Sequence, residues 1–478
     1  MSDSTKQEFA RADDASRHEV ILDSLAAGAG SDAALVSAVA RQTRREVNPA
    51  TREEAEILSV SCGVAAPVLT SYVLWTLGRA VEMGLKRLYF ISRDGEVLLE
   101  IAKRLLPACR PGVDMELRYL WGSRQAWMLP SFAVSTRDLS RYLLQYYQNS
   151  SLKIIMGRVD LTLEDCKDFL PNHGFTVNDW ERKLARGDLG PLRAMVADPV
   201  LLQRVGVRAR ESTDNVLGYL TQEGLFDDVS YGLVDLGWAG VMKGALERIL
   251  GLRGKAAPPF FFFGRIRYDQ HDEQSTLQAY QFNLAEGTGV DREWPGITWL
   301  MEMFCTSLSG GLLRYERRND RYEPVQRQTD TSAVQEWGFA LMRNSIVRFA
   351  ENLAGKAAAM KPSAFLPPSA ADALLKAFWF RPARDEARVW GRFPFEEDPS
   401  SESFNCLVPP LTPGSFWRVL VYGRGFRAYS EWNRGVIAAH SPVIGFLWLL
   451  CLSGYKTRKI VERFIFRRRV ECSPTKTS

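Results

Sequence analysis

Two stretches of this chain, KRLYFISRDGEVLLEIAKRLLP and VSYGLVDLGWAGVMKGALERILG, repeat one local plan. Each has a short apolar run, then a loop of charge and glycine, then apolar residues at helical spacing. The runs Leu88–Ile91 and Tyr231–Val234 are continuous rather than alternating, as expected of strands covered on both faces. The loops Ser92–Gly95 and Asp235–Gly240 follow, and helices are expected over Glu96–Leu106 and Val241–Leu250. Leu117–Trp121 and Phe260–Phe263 read as two more strands. Strands that alternate with helices and cannot face water require helical layers on both sides. The expected fold is therefore α/β: a mostly parallel, Rossmann-like sheet with helices on both faces.

At 478 residues the chain exceeds one core of ordinary size. Residues 1–52 are rich in Ala, Ser, Asp and Arg and read as a polar, partly disordered lead-in. The α/β core is expected over 53–345, interrupted by a helical insertion over about 135–225. Its first part, from Glu53 to Leu85, holds two helical segments; the second is apolar on several faces, hence buried, with Pro67 near its start. Residues 346–414 read as helical and loop-rich, and 415–478 as a helical, basic, aromatic-rich C-terminal region.

A net charge of +5 is too small to argue for nucleic acid. Seven scattered cysteines, odd in number and without a CxxC, suit a reducing cytoplasm and form neither a disulfide framework nor a zinc site. The first twenty residues have no apolar segment of the kind a secretory signal carries, so a cytoplasmic location is expected. Neither GxxxxGK[ST], DxDx[TV], GxSxG nor HExxH occurs.

Ligands of parallel sheets bind beyond the carboxyl ends of the strands, which is where the singled-out loops fall. Arg93 and Arg124 are suited to clamp a phosphate or carboxylate. Gly95 permits close backbone approach beside a helix start. Asp94 either caps that helix, acts as a base, or holds Mg²⁺, and Asp235 shares the last two roles. Ser92 and Ser123 add hydroxyls. Gly237 and Gly240 keep the third loop open, and Trp238 either stacks on a base or sugar or packs into the core.

Between Ser415 and Val470 there are eleven Lys or Arg against two Glu. Within that region Gly435–Tyr455 is uncharged, with its most apolar part at Val443–Leu452. Three readings stand: a membrane span, an amphipathic anchor on anionic lipid, or a packed helix with a solvated basic end.

FISRDG, GSRQAWMLPS and VDLGWAG, in this order, resemble the region after the phosphatase domain in predicted haloacid-dehalogenase-type hydrolases of bacterial surface-polysaccharide gene clusters. The likeness covers roughly residues 60–320 and takes in Ser92–Gly95, Ser123-Arg124, Val234–Gly240, Glu302 and Tyr315. The DxD aspartates of the hydrolase part are absent from this chain. The resemblance implies a bacterial role in polysaccharide or glycoconjugate assembly and a phosphorylated or nucleotide-linked sugar as ligand, with Glu302 joining the site. It also admits a non-catalytic scaffold bound to polysaccharide-assembly proteins at the inner membrane surface. A looser likeness, to the phosphate loops of type I phosphoribosyltransferases, is one of loop order and chemistry only.

Overall fold

The computed structural model describes residues 15–29, 31–145, 147, 150–266, 277–284, 288–289, 296–356, 366–396, 404–408, 432–441 and 443–450. Its first elements are α1 (Arg17–Ala29) and α2 (Ser31–Glu46). The lead-in, expected to be polar and partly disordered, forms two helices from residue 17 that join the core. Leu22, Val36, Val39 and Ala40 are buried, and buried Glu19 is held by Arg44 at 2.6 Å. Small residues made this stretch look polar, but its few large ones share one face.

Next come α3 (Arg52–Val60), a π-helical turn at Ser61–Ala65, and α4 (Ala66–Glu82). The two expected segments are thus one continuous helix of 31 residues, shifted in register by the π turn. It is long and apolar enough to cross a membrane, yet 94% of its most apolar window is buried inside the protein. It is the central core helix of this fold. Tyr72 fixes its position: the hydroxyl lies 2.8 Å from the carbonyl oxygens of both Asp235 and Phe261.

The sheet is built from β1 (Arg87–Ile91), β2 (Glu116–Leu120), β3 (Tyr231–Trp238), β4 (Phe260–Arg265), β5 (Leu277–Asn283) and the short β6 (Thr288–Gly289). Their order is β2-β1-β3-β4-β5-β6, and every pair is parallel except the last. The parallel α/β expectation holds. Strand β3 runs on to Trp238, so Asp235 lies within the strand and not in the loop after it. Helices α5 (Gly95–Cys109) and α6 (Arg124–Ser131) follow β1 and β2.

Between α6 and β3 lies the insertion, helical as expected: α7 (Leu139–Leu144), α8 (Leu152–Gly157), α9 (Leu163–Cys166), α10 (Leu189–Val196) and α11 (Pro199–Gln222). Helix α12 (Val241–Gly251) joins β3 to β4. Alternate strand residues feed two cores. Leu88, Phe90, Val234, Leu236, Phe261 and Phe263 pack with the layer containing α4 and α5. Tyr89, Ile91, Tyr231, Leu233, Phe260 and Phe262 pack with α6, α12 and the insertion. Both faces are covered, which is why the strands read as unbroken apolar runs.

After the sheet come α13 (Ile297–Phe304), the antiparallel hairpin β7 (Leu312–Arg318) and β8 (Arg321–Gln326), α14 (Ser332–Trp337), α15 (Phe339–Ala354), α16 (Pro368–Phe380) and α17 (Arg384–Trp390). A two-stranded pair, β9 (Pro394–Glu396) and β10 (Phe404–Cys406), and α18 (Asn433–Ala439) follow, with a last described helix over 443–450. Of the basic C-terminal region, only 432–441 and 443–450 lie within the described residues.

Candidate functional site

The chain leaves β1 to form β2 on one side of it, then crosses to form β3 on the other. A doubly wound sheet of this order has its switch point between β1 and β3, where a crevice opens at the carboxyl ends of the strands. Asp94 follows β1 and Asp235 lies near the end of β3. A cavity of about 300 Å³ opens beside them, lined in part by Ser92, Arg93, Asp94, Ser123, Arg124 and Glu302. Six of the residues singled out in the sequence therefore share one wall. Gly95, Asp235, Gly237, Trp238 and Gly240 do not line the cavity.

Backbone geometry forces the loop residue types. Gly95 starts α5 against the end of β1, where a Cβ would stand 2.6 Å from the Phe90 carbonyl carbon. Gly237 has φ +109°, and a Cβ there would meet the Gly264 carbonyl oxygen at 2.5 Å. Trp238 is held at φ +107°, a conformation a bulky residue adopts only when its surroundings enforce it. Its ring lies against Phe282 and edge-on to Phe263, and its indole N–H donates to Glu302 Oε1 at 3.1 Å. Trp238 thus aims a carboxylate from behind and offers no open stacking face in the cavity.

The serines brace the wall. Ser92 donates to the Gly122 carbonyl at 2.8 Å and accepts from the Gly122 N–H at 3.0 Å, joining the ends of β1 and β2. Ser123 caps α6 by accepting from the Ala126 N–H at 2.9 Å, and donates to the Leu312 carbonyl at 2.7 Å. Asp94 occupies the N-cap position of α5, but its side chain makes no capping hydrogen bond. Its carboxyl is therefore not used up by the helix. Arg124 is exposed and donates to Gln145 Oε1 at 3.1 Å. Tyr315 is structural: buried, stacked on Tyr219, and donating to the Trp121 carbonyl.

Three carboxyls and two guanidiniums make the electrostatics of the site. Burial, then the charges of Glu302 and Asp235, hold the Asp94 pKa well above its ordinary value, against the pull of Arg93. Burial and Glu302 push Asp235 up to about 7, although the Leu236 and Gly237 N–H groups and Arg124 favour its charged form. Glu302 is raised by burial and eased back by Trp238, Arg124 and Arg93. Each acid therefore feels another, and near neutral pH the group holds protons that free carboxyls would have lost. Such carboxyls can give a proton to a leaving oxygen or take one from an attacking hydroxyl.

Asp94 and Asp235 are also the expected Mg²⁺ ligands. Among the described residues no three His, Cys, Asp or Glu side chains converge closely enough to hold a metal ion. The positive charge that this chain itself brings to the carboxyls comes from Arg93 and Arg124.

Sequence reasoning did not find the rest of the lining, which includes Tyr142, Gln145, Arg158, Arg327, Thr329 and Phe395. Arg158 is committed to the fold, donating to the carbonyls of Tyr142, Leu143 and Gln145. These residues come from the insertion, from the segment after β8 and from β9, and none carries a local motif. Compared with known proteins, the chain matches no family model and no curated sequence.

Proposed function

We propose that this protein binds a phosphorylated or nucleotide-activated sugar in the cavity above the strand ends. Arg93 and Arg124 hold the anionic group, Asp94 and Glu302 serve sugar hydroxyls and proton transfer, and buried Asp235, which does not line the cavity, acts through its charge on Asp94. The observation that carries this reading is the meeting of two arginines and an uncapped Asp94 in one cavity at the sheet's switch point. The residues of the haloacid-dehalogenase-associated resemblance support it too: Ser92–Gly95, Ser123-Arg124, Val234–Gly240 and Glu302 gather at these strand ends. On that resemblance the ligand belongs to surface polysaccharide or glycoconjugate synthesis in a bacterial cytoplasm.

Thermal shift with sugar phosphates and nucleotide sugars, with and without Mg²⁺, tests the proposal. A ligand that binds the folded state raises Tm with concentration. Arg93→Ala and Arg124→Ala should each abolish the rise; a rise untouched in both variants would refute the site.

A second reading concerns the C-terminal region. In the helix over 443–450, Val443, Phe446 and Leu450 are 69%, 61% and 53% exposed along one side, while Trp448 is buried on the other. Lys456, Arg458 and Lys459 follow in sequence. An apolar stripe followed in sequence by basic residues suits an anionic lipid surface, which would make the protein peripheral to the inner membrane. Co-sedimentation with vesicles of anionic lipid, lost in Phe446→Ser, is the check.

A further inference from the structure

The cavity lining has two parts of different chemistry. One part carries Arg93, Asp94, Arg124 and Glu302. The other comes from elements beyond the sheet: Leu313 of β7, Val334 of α14, and Phe393 and Phe395 at β9. Neighbouring aromatic rings fix both phenylalanines. Phe393 meets Trp337 edge-on at 4.8 Å, and Phe395 meets Trp299 edge-on at 4.5 Å. The wall is thus built before any ligand arrives. Thr329, in the segment between β8 and α14, also lines the cavity, and its buried Oγ1 has no hydrogen-bond partner among the described residues. Buried hydroxyls are almost always paired, so this one has bonding capacity left over for a group beside it.

Three occupants can be compared by what they need. A plain sugar phosphate uses the charged part of the lining and leaves the apolar part against water. An isoprenoid chain uses the apolar wall but has nothing to offer Thr329. A nucleobase needs a flat apolar face together with hydrogen-bonding groups at its edge, and Phe395 and Thr329 of the lining offer both.

We propose that the ligand is a nucleoside diphosphate derivative, with its diphosphate at Arg93 and Arg124 and its base against Phe395 within reach of Thr329. This inference rests on the anion-binding reading above and adds the part of the ligand which that reading leaves open.

Calorimetric titration of the full chain with nucleoside diphosphates carrying each common base, with inorganic pyrophosphate and with an isoprenyl diphosphate tests it. At least one nucleoside diphosphate should bind about tenfold or more tighter than pyrophosphate, the gain expected of one base stacked on an aromatic ring. Phe395→Leu, which keeps an apolar side chain and removes the ring, should erase most of that gain and leave pyrophosphate affinity unchanged. Thr329→Val, nearly isosteric, should weaken the preferred base and not pyrophosphate. Arg124→Ala should weaken both ligands. Equal affinity for pyrophosphate and every nucleoside diphosphate would overturn the base subsite while leaving the anion site standing. Tighter binding of the isoprenyl diphosphate would likewise overturn it in favour of a lipid. Binding of none of the three would overturn the underlying anion-binding reading as well.

Discussion

Replacing Asp235 by Asn takes a charge out of a place where the fold resists it. Asp235 is 8% exposed, and burial with the nearby Glu302 moves its pKa from 3.8 to about 7. A shift of that size disfavours the ionised form by about 4 kcal/mol. The unfolded chain ionises this residue at ordinary carboxylate pH and the folded chain near neutrality. Between those values the folded state holds the extra proton, and stability falls as pH rises. About 2–3 kcal/mol of the loss accrues between about pH 5 and about pH 8. Asparagine keeps an oxygen for the Leu236 and Gly237 N–H groups and cannot ionise. The stability of Asp235→Asn relative to wild type should therefore climb with pH by about 2–3 kcal/mol over that interval. Asp94 feels the Asp235 charge, so losing that charge eases its own ionisation and acts in the same direction. Urea denaturation followed by tryptophan fluorescence at the two pH values gives the difference directly. Parallel pH profiles for the two proteins, within about 0.5 kcal/mol, would refute the claim that Asp235 is strained by its own charge.

Gly95→Ala should cost about 1–3 kcal/mol, because its Cβ would press on the Phe90 backbone, which cannot swing aside; urea midpoints read the loss. Tyr72→Phe removes the hydroxyl at the Asp235 and Phe261 carbonyls and should cost about 1–3 kcal/mol with no change in m-value, since the unfolded state is unaltered. Trp238→Phe removes the indole donor to Glu302, so the Glu302 pKa, already raised, should rise further. Carboxyl titration by NMR would show this, and an unmoved Glu302 would mean the indole contact does not govern it.

The sheet was legible because both its faces are covered: a run of four phenylalanines at Phe260–Phe263 suits a strand buried on both sides and little else. The strand β5, LQAYQFN, was not, since Gln278 and Gln281 break its apolar run. Gln281 is nevertheless buried, donating to the Pro368 carbonyl. The hairpin β7–β8 was also missed, although Asn319 at φ +54° is a turn signal that Asn-Asp in sequence gives weakly. At the site, the strand-end residues could be named because a parallel sheet dictates where ligands go. The aromatic wall could not, because Phe393 and Phe395 reach the cavity through tertiary packing that leaves no periodicity behind. Trp238 shows a further limit. Sequence can place an aromatic residue at a mouth, but which way the ring turns depends on backbone φ and on Phe263 and Phe282.

The neighbours β1 and β3 at the centre of the sheet are separated by the whole insertion. On a ribosome adding about 5–20 residues per second, the roughly 140 residues from the end of β1 to the start of β3 take roughly 7–28 s. For that time LYFI of β1 can pair with β2 on one edge and has no partner on the other. The nascent chain is therefore most open to chaperones and to self-association while the insertion is being made. Mutations that slow folding of the insertion should lower soluble yield more than they lower the stability of the finished protein.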